Sequence, residues 1–216
     1  MANKTNHQPE EVQATGTELF IQNNGKKVLY VAAAFICILA VVLGIKQCNS
    51  SNDIKASHSE ALIQAQFDFE AQQYEAALAG FESVISEFGS TKSGNLAKAY
   101  AGLCQKKLGN LAEAISYLKQ YDGNDQVIAP AIYAALGDCY VDSETPDYDA
   151  AAKAFEKAAA AANNTEFSPL YLRKAGLVYE AKGENGKALK AYEAIKNNWP
   201  NSELASSIDK YISRVK

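Results

Sequence analysis

The sequence predicts an all-α protein: a single N-terminal transmembrane helix, then an α-solenoid of about four helix-turn-helix repeats, closed by a C-terminal capping helix. Three observations carry that fold class. One stretch, Val28–Ile45, runs 18 residues without a charge and is almost entirely apolar. Beyond residue 55, alanines and aromatics recur at helical spacing, and Gly or Asn punctuates every 12 to 20 residues. The same residue offsets also return four times along the chain, as in stacked repeats.

Residues 1–27 form a short tail, expected to be cytoplasmic, with three lysines and three glutamates. The transmembrane helix is placed at 28–46. At 1.5 Å per residue its apolar run reaches roughly 27 Å, close to the hydrocarbon thickness of a bilayer. Lys26 and Lys27 stand at one end and Lys46 at the other. A cleaved signal peptide fits less well, because such peptides have a shorter leader and a small-x-small site after the apolar core. Ile45, Lys46 and Gln47 are equally wrong for the small residues that precede a lipid-modified cysteine, so Cys48 is not read as an anchor. Lysines flank both ends, so the positive-inside rule gives only a lean towards the tail inside and the large domain outside. Residues 47–55 are read as a linker and 56–216 as the repeat domain.

The clearest repeat comes last. Gly176, Tyr179, Ala188, Tyr192, Ile195 and Pro200 match positions 8, 11, 20, 24, 27 and 32 of a 34-residue tetratricopeptide unit. Upstream, Leu136, Gly137 and Tyr140 fill positions 7, 8 and 11. Ala151, Phe155 and Ala158 then fill 20, 24 and 27, after a two-residue insertion in "DSETPDYD". Gly102, Ala114 and Leu118 make another set, and Ala65, Ala77, Phe81 and Val84 a fourth. The repeats therefore start near 58, 95, 130 and 169. A small residue at position 8 lets the second helix of each pair approach the first, and the bulky side chain at 24 fills the space between pairs. Pro200 stops the last second helix. A cap helix is predicted over 202–214, with Ser202 at its start and Leu204, Ile208 and Ile212 recurring every fourth residue.

"GENGK" at residues 183–187 resembles a phosphate loop only superficially. A Walker loop needs four residues between its glycine and the Gly-Lys, and here only Glu184 and Asn185 intervene. It is read as the turn inside the fourth repeat, equivalent to "KLGNLAEA" and "AQQYEAA" upstream. The only histidines are His7 and His58, so neither a zinc site nor a nucleophilic triad can be assembled within the repeats. Cys104 and Cys139 share position 10 of successive repeats. Neighbouring helix axes are about 8–10 Å apart, too far for a disulfide between equivalent positions, so both are expected as buried thiols. Residues 56–216 carry 16 basic and 21 acidic groups, with no basic stripe for nucleic acid. The chain is expected to be no enzyme, to need no cofactor or metal, and to bind proteins.

Such a solenoid binds along its first helices. Candidate groove residues are Leu62, Gln66 and Phe69 in the first repeat, Leu103 and Lys106 in the second, and Asp138 in the third. Arg173, Leu177 and Glu180 complete the set in the fourth. The Lys/Asn pair of a carboxylate clamp is missing from every repeat, which argues against a C-terminal acidic peptide. The mixed surface suits extended, partly apolar segments, although several leucines could instead pack between repeats.

The tail ends in "ELFIQNNGKK", with Phe20 before Asn24, Gly25 and Lys26, and leads at once into the single span and the repeats. This layout resembles the YfgM-type ancillary subunits of the SecYEG translocon. The resemblance implies an inner-membrane, single-pass protein with periplasmic repeats, handing translocated chains to periplasmic chaperones; its implied partners are translocon subunits, chaperones or translocating chains. A scaffold for another envelope complex, in cell-wall synthesis, division or outer-membrane assembly, needs the same solenoid and anchor and stays open.

Overall fold

The computed structural model describes Ile38 and residues 40–216, in two units, Met1–Cys48 and Asn49–Lys216. In the first unit, residues 40–48 are helical and exposed. Among the described residues no helix is long and apolar enough to cross a membrane. The tail, and the expected span except for Ile38 and residues 40–46, lie outside the described residues.

The second unit is built from helices, with no strand among the described residues. Residues 49–57 (α1) are helical, so the stretch expected as a linker is ordered chain. Asp53 accepts a bond of 2.8 Å from the Ser93 amide, and the Asn49 side chain donates to the Ser90 carbonyl at 3.3 Å. Four helix pairs follow: α2 Glu60–Glu70 with α3 Tyr74–Phe88, α4 Lys92–Lys107 with α5 Leu111–Leu118, α6 Ile128–Asp142 with α7 Tyr148–Ala162, and α8 Phe167–Ala181 with α9 Asn185–Asn198. Each helix packs chiefly on its neighbours in sequence, as a solenoid requires. Ser59, Thr91 and Asp147 cap α2, α4 and α7 by accepting from the amides of Leu62, Gly94 and Ala150.

The position-8 residues explain the pairing. A Cβ on Gly102 would stand 2.6 Å from Leu118, one on Gly137 2.7 Å from Phe155, and one on Gly176 2.2 Å from Tyr192. Each of those partners sits at position 24, so glycine in the first helix is the socket for the bulky residue in the second. The first repeat reverses the arrangement. Ala65 occupies position 8, and the missing methyl is on the facing helix, where a Cβ on Gly80 would meet Ala65 Cβ at 2.7 Å.

Three of the turns share one hydrogen bond. The amides of Gln73, Asn110 and Glu184 donate to the carbonyls of Asp68, Gln105 and Tyr179 at 2.8, 2.9 and 2.8 Å. This bond needs a left-handed residue, supplied by Gly109 (φ 85°) and Gly183 (φ 80°), whereas the first repeat uses Gln72 at φ 60°. In the third repeat the corresponding bond runs from Asp147 to Tyr140, two residues longer because of the insertion.

The segment expected as one cap helix is two, α10 Glu203–Ser207 and α11 Asp209–Val215, broken at Ile208. The hydroxyls of Ser206 and Ser207 bond back to the carbonyls of Glu203 and Leu204, competing with the helical ladder at that break. Ser202 caps α10. Ile208, Ile212 and Val215 are buried, and the Tyr211 ring lies 5.4 Å from that of Tyr192.

Two apolar clusters form the core. The smaller gathers Leu62, Ala65, Phe81 and Val84 with Ala97, Ala101 and Cys104 of α4. The larger runs from Leu118 through Phe155 and Tyr192 to Val215. Helix α4 belongs to both, contributing Ala99 to the second.

Candidate protein-binding surface

The first helices α2, α4, α6 and α8 carry the candidate groove residues, and the structure gives those residues different surroundings. Leu62 is only 5% exposed and belongs to the smaller core. Phe69 is half-buried, its ring 5.1 Å from Tyr100 and 5.7 Å from Tyr74, edge to face in both cases. Gln66 is half-buried beside them. Leu103 packs against the larger core, while Leu177 is 40% exposed.

The charged candidates come together. The ammonium groups of Lys106 and Lys174 both donate to Asp138, at 3.2 and 2.7 Å. Three consecutive first helices are thereby bridged through one carboxylate. Lys174 also lies 5.2 Å from the centre of the Phe155 ring, so its charge rests against the larger core. Arg173 is half-buried, and its Nε is a buried donor with no hydrogen-bond partner.

Glu180 is tied to the cap. It accepts from Arg214 at 2.7 Å and from the Tyr192 hydroxyl. Burial pushes the Glu180 carboxyl pKa up, but the bonds from Arg214 and Tyr192 outweigh it and hold the group below its ordinary value. Burial, reinforced by Glu180, pushes the Tyr192 phenol up. The cap thus meets the outermost candidate groove carboxylate as a fifth first helix would.

Of the four charged candidates Lys106, Asp138, Arg173 and Glu180, all but Arg173 are paired, through Lys174 and Arg214, which the sequence reading does not name. Lys174 stands at position 6 of its repeat and Arg214 in the cap, so neither belongs to the positions from which the candidates come. The available signal was alternation of sign, plus-minus-plus, at separations of 32 and 36 residues.

The cysteines do not pair among the described residues. Cys104 and Cys139 are buried, and loss of hydration pushes their thiols up to about 12 and about 11, while Cys48 is exposed. Among the described residues no three His, Cys, Asp or Glu side chains gather as a metal site. A cleft of about 550 Å³ lies where the α4–α5 turn meets the longer α6–α7 turn, between Leu111, Ile115, Tyr140 and Thr145.

The stacked pairs, the glycine sockets and the repeated turn bond define a helical-repeat protein with the architecture of a protein-interaction scaffold. Residues 19–211 match the tetratricopeptide repeat-like domain family, and the chain belongs to that family. Nothing among curated proteins matches it. Among solved structures it is similar to a putative kinesin light chain of Podosopora anserina with nearly identical TPR-like repeats, at 14% identity and a TM-score of 0.55, over 74% of this chain and 85% of that one. It is also similar to MamA protein, at 20% identity and a TM-score of 0.50, over 72% and 87% of the two chains. These likenesses concern the fold alone.

Proposed function

We propose that the chain is a membrane-anchored adaptor of the bacterial envelope, working beside the Sec translocon and presenting its first-helix face to emerging chains or periplasmic chaperones. One observation carries the reading of the face: Lys106, Asp138 and Glu180 are already paired within the protein, while the Leu177 side chain stands open on the same face. A groove so arranged favours extended, partly apolar segments over acidic chain ends. The anchor rests on the apolar run Val28–Ile45 and its flanking lysines. The family match begins at residue 19, ahead of that run, which supports taking the pre-membrane segment, the run and the repeats as one unit.

The test is affinity purification of the intact protein from crosslinked membranes, followed by mass spectrometry. Export-channel subunits and periplasmic chaperones should be enriched. Recovery of a different envelope assembly in their place would make the chain a scaffold of that assembly. Orientation is checked at Cys48, an exposed thiol, in a Cys37→Ser background. A membrane-impermeant maleimide should reach it from the periplasmic side, and reaction from the cytoplasm alone would invert the topology.

A further inference from the structure

The two ends of the solenoid are finished differently. Positions 6 and 10 of each first helix face the preceding pair: Tyr100 stacks on Phe81 with ring centres 5.1 Å apart, and Cys104, Ala135, Cys139 and Val178 are buried. In the first repeat those positions hold Ile63 and Phe67, which have no preceding pair among the described residues and stand 57% and 65% exposed. Four residues apart, they share one face of α2. At the other end α11 supplies the covering, with Ile208, Ile212 and Val215 buried.

Charge singles out the same end. From Glu60 to Phe88 there are six carboxylates, Glu60, Asp68, Glu70, Glu75, Glu82 and Glu87, and no Lys or Arg. Residues 92–216 are nearly balanced, with 16 basic and 15 acidic groups. Among the described residues no first-repeat carboxylate takes part in a salt bridge.

We infer that the outer face of α2 is a docking site for a basic amphipathic helix of another protein, which takes the place of the missing preceding helix. Its apolar stripe covers Ile63 and Phe67, and its flanking Lys or Arg side chains meet Glu60 and Glu70, which share that face of α2. The charge disfavours a second copy, since two copies meeting through this face would set Glu60 and Glu70, which share the α2 face of Ile63 and Phe67, against the same carboxylates. Head-to-tail stacking is closed off by the cap. The site is separate from the first-helix groove and does not depend on what binds there.

The experiment uses the purified full chain in detergent and three labelled synthetic peptides, read by fluorescence anisotropy. One is an amphipathic helix with Leu at i, i+3, i+4 and i+7 and Lys or Arg on its flanks. The second keeps the leucines but has Glu flanks, and the third scrambles the basic sequence to destroy the stripe. The first should bind, weakening with added salt, and the other two should bind at least ~10-fold more weakly. The double variant Ile63→Ser/Phe67→Ser should lose at least ~10-fold for the first peptide, while Leu177→Ser binds it unchanged. Circular dichroism should show both variants folded, since these three side chains are exposed. Absence of binding, equal binding of the scrambled peptide, or an undiminished double variant would overturn the inference. So would sedimentation showing a dimer that the double variant abolishes, which would make a second copy the occupant.

Discussion

The first repeat and the three that follow share one pair geometry but join their neighbours by different means. Between α2 and α4 the cement is aromatic, with Phe69, Phe81 and Tyr100 in mutual contact. Between α4, α6 and α8 it is ionic, through Asp138 and its two lysines, and Glu180 with Arg214 repeats the device at the cap. The aromatic junction closes over the fully buried Phe81 and holds a small cluster of its own. The ionic junctions span partly exposed residues, add little energy each, and leave the larger apolar cluster to hold the later repeats together. The solenoid therefore has one separable end, acidic and open, and one long capped body.

The sharpest way to break this contrast is Phe81→Ala. Removing a fully buried ring from the smaller cluster should cost about 3–5 kcal/mol. The loss should stay local: amide exchange should accelerate over α2–α4 while α8–α11 keep their protection. Uniform acceleration along the chain would show a single cooperative core.

Gly176→Ala probes the body instead. Its added methyl meets the buried Tyr192 ring at 2.2 Å, so a cost of about 1–3 kcal/mol is expected in denaturant titrations. Asp138→Ala should cost about 1 kcal/mol or less and lose much of that effect in high salt, because all three side chains are partly exposed. Gln72→Gly should raise stability by up to about 1 kcal/mol, since the left-handed backbone penalises a side chain more than glycine's extra freedom does.

The smallest effect is the pH response of the cap. The folded-state pKa of Glu180 lies below its unfolded value, so its contribution is present above the unfolded pKa and lost as pH falls through the folded one. Exchange at α11 should rise over that acidic window, and Arg214→Gln should flatten the response.

Much of the body was legible in the sequence because repeats print local rules. Gly102, Gly137 and Gly176 announced the sockets, and Gly109 and Gly183 the turns, since each acts within one pair. The first repeat was harder to read because it swaps the socket to Gly80 and uses Gln72 where glycine is expected. The charge bridges were illegible for a different reason. Lys106, Asp138 and Lys174 meet only through the offset between successive pairs, which no single repeat contains. The fate of Leu62 followed the same logic: its position suggests the groove, yet it packs into the smaller core. Residues 47–55 read as a linker because they are polar and show no apolar stripe, yet Asn49 and Asp53 bond to Ser90 and Ser93 at the start of α4.

On the proposed function, a partner chain lies along the first-helix face, with Leu177 as its exposed contact. The most direct measurement is photocrosslinking in living cells from a benzoylphenylalanine at position 177, compared with one at Lys190, an exposed residue on the second helix of the same repeat. Discrete adducts with envelope proteins from position 177 and none from position 190 are the predicted result. Equal labelling from both, or adducts from position 190 alone, would contradict the assignment of the binding face.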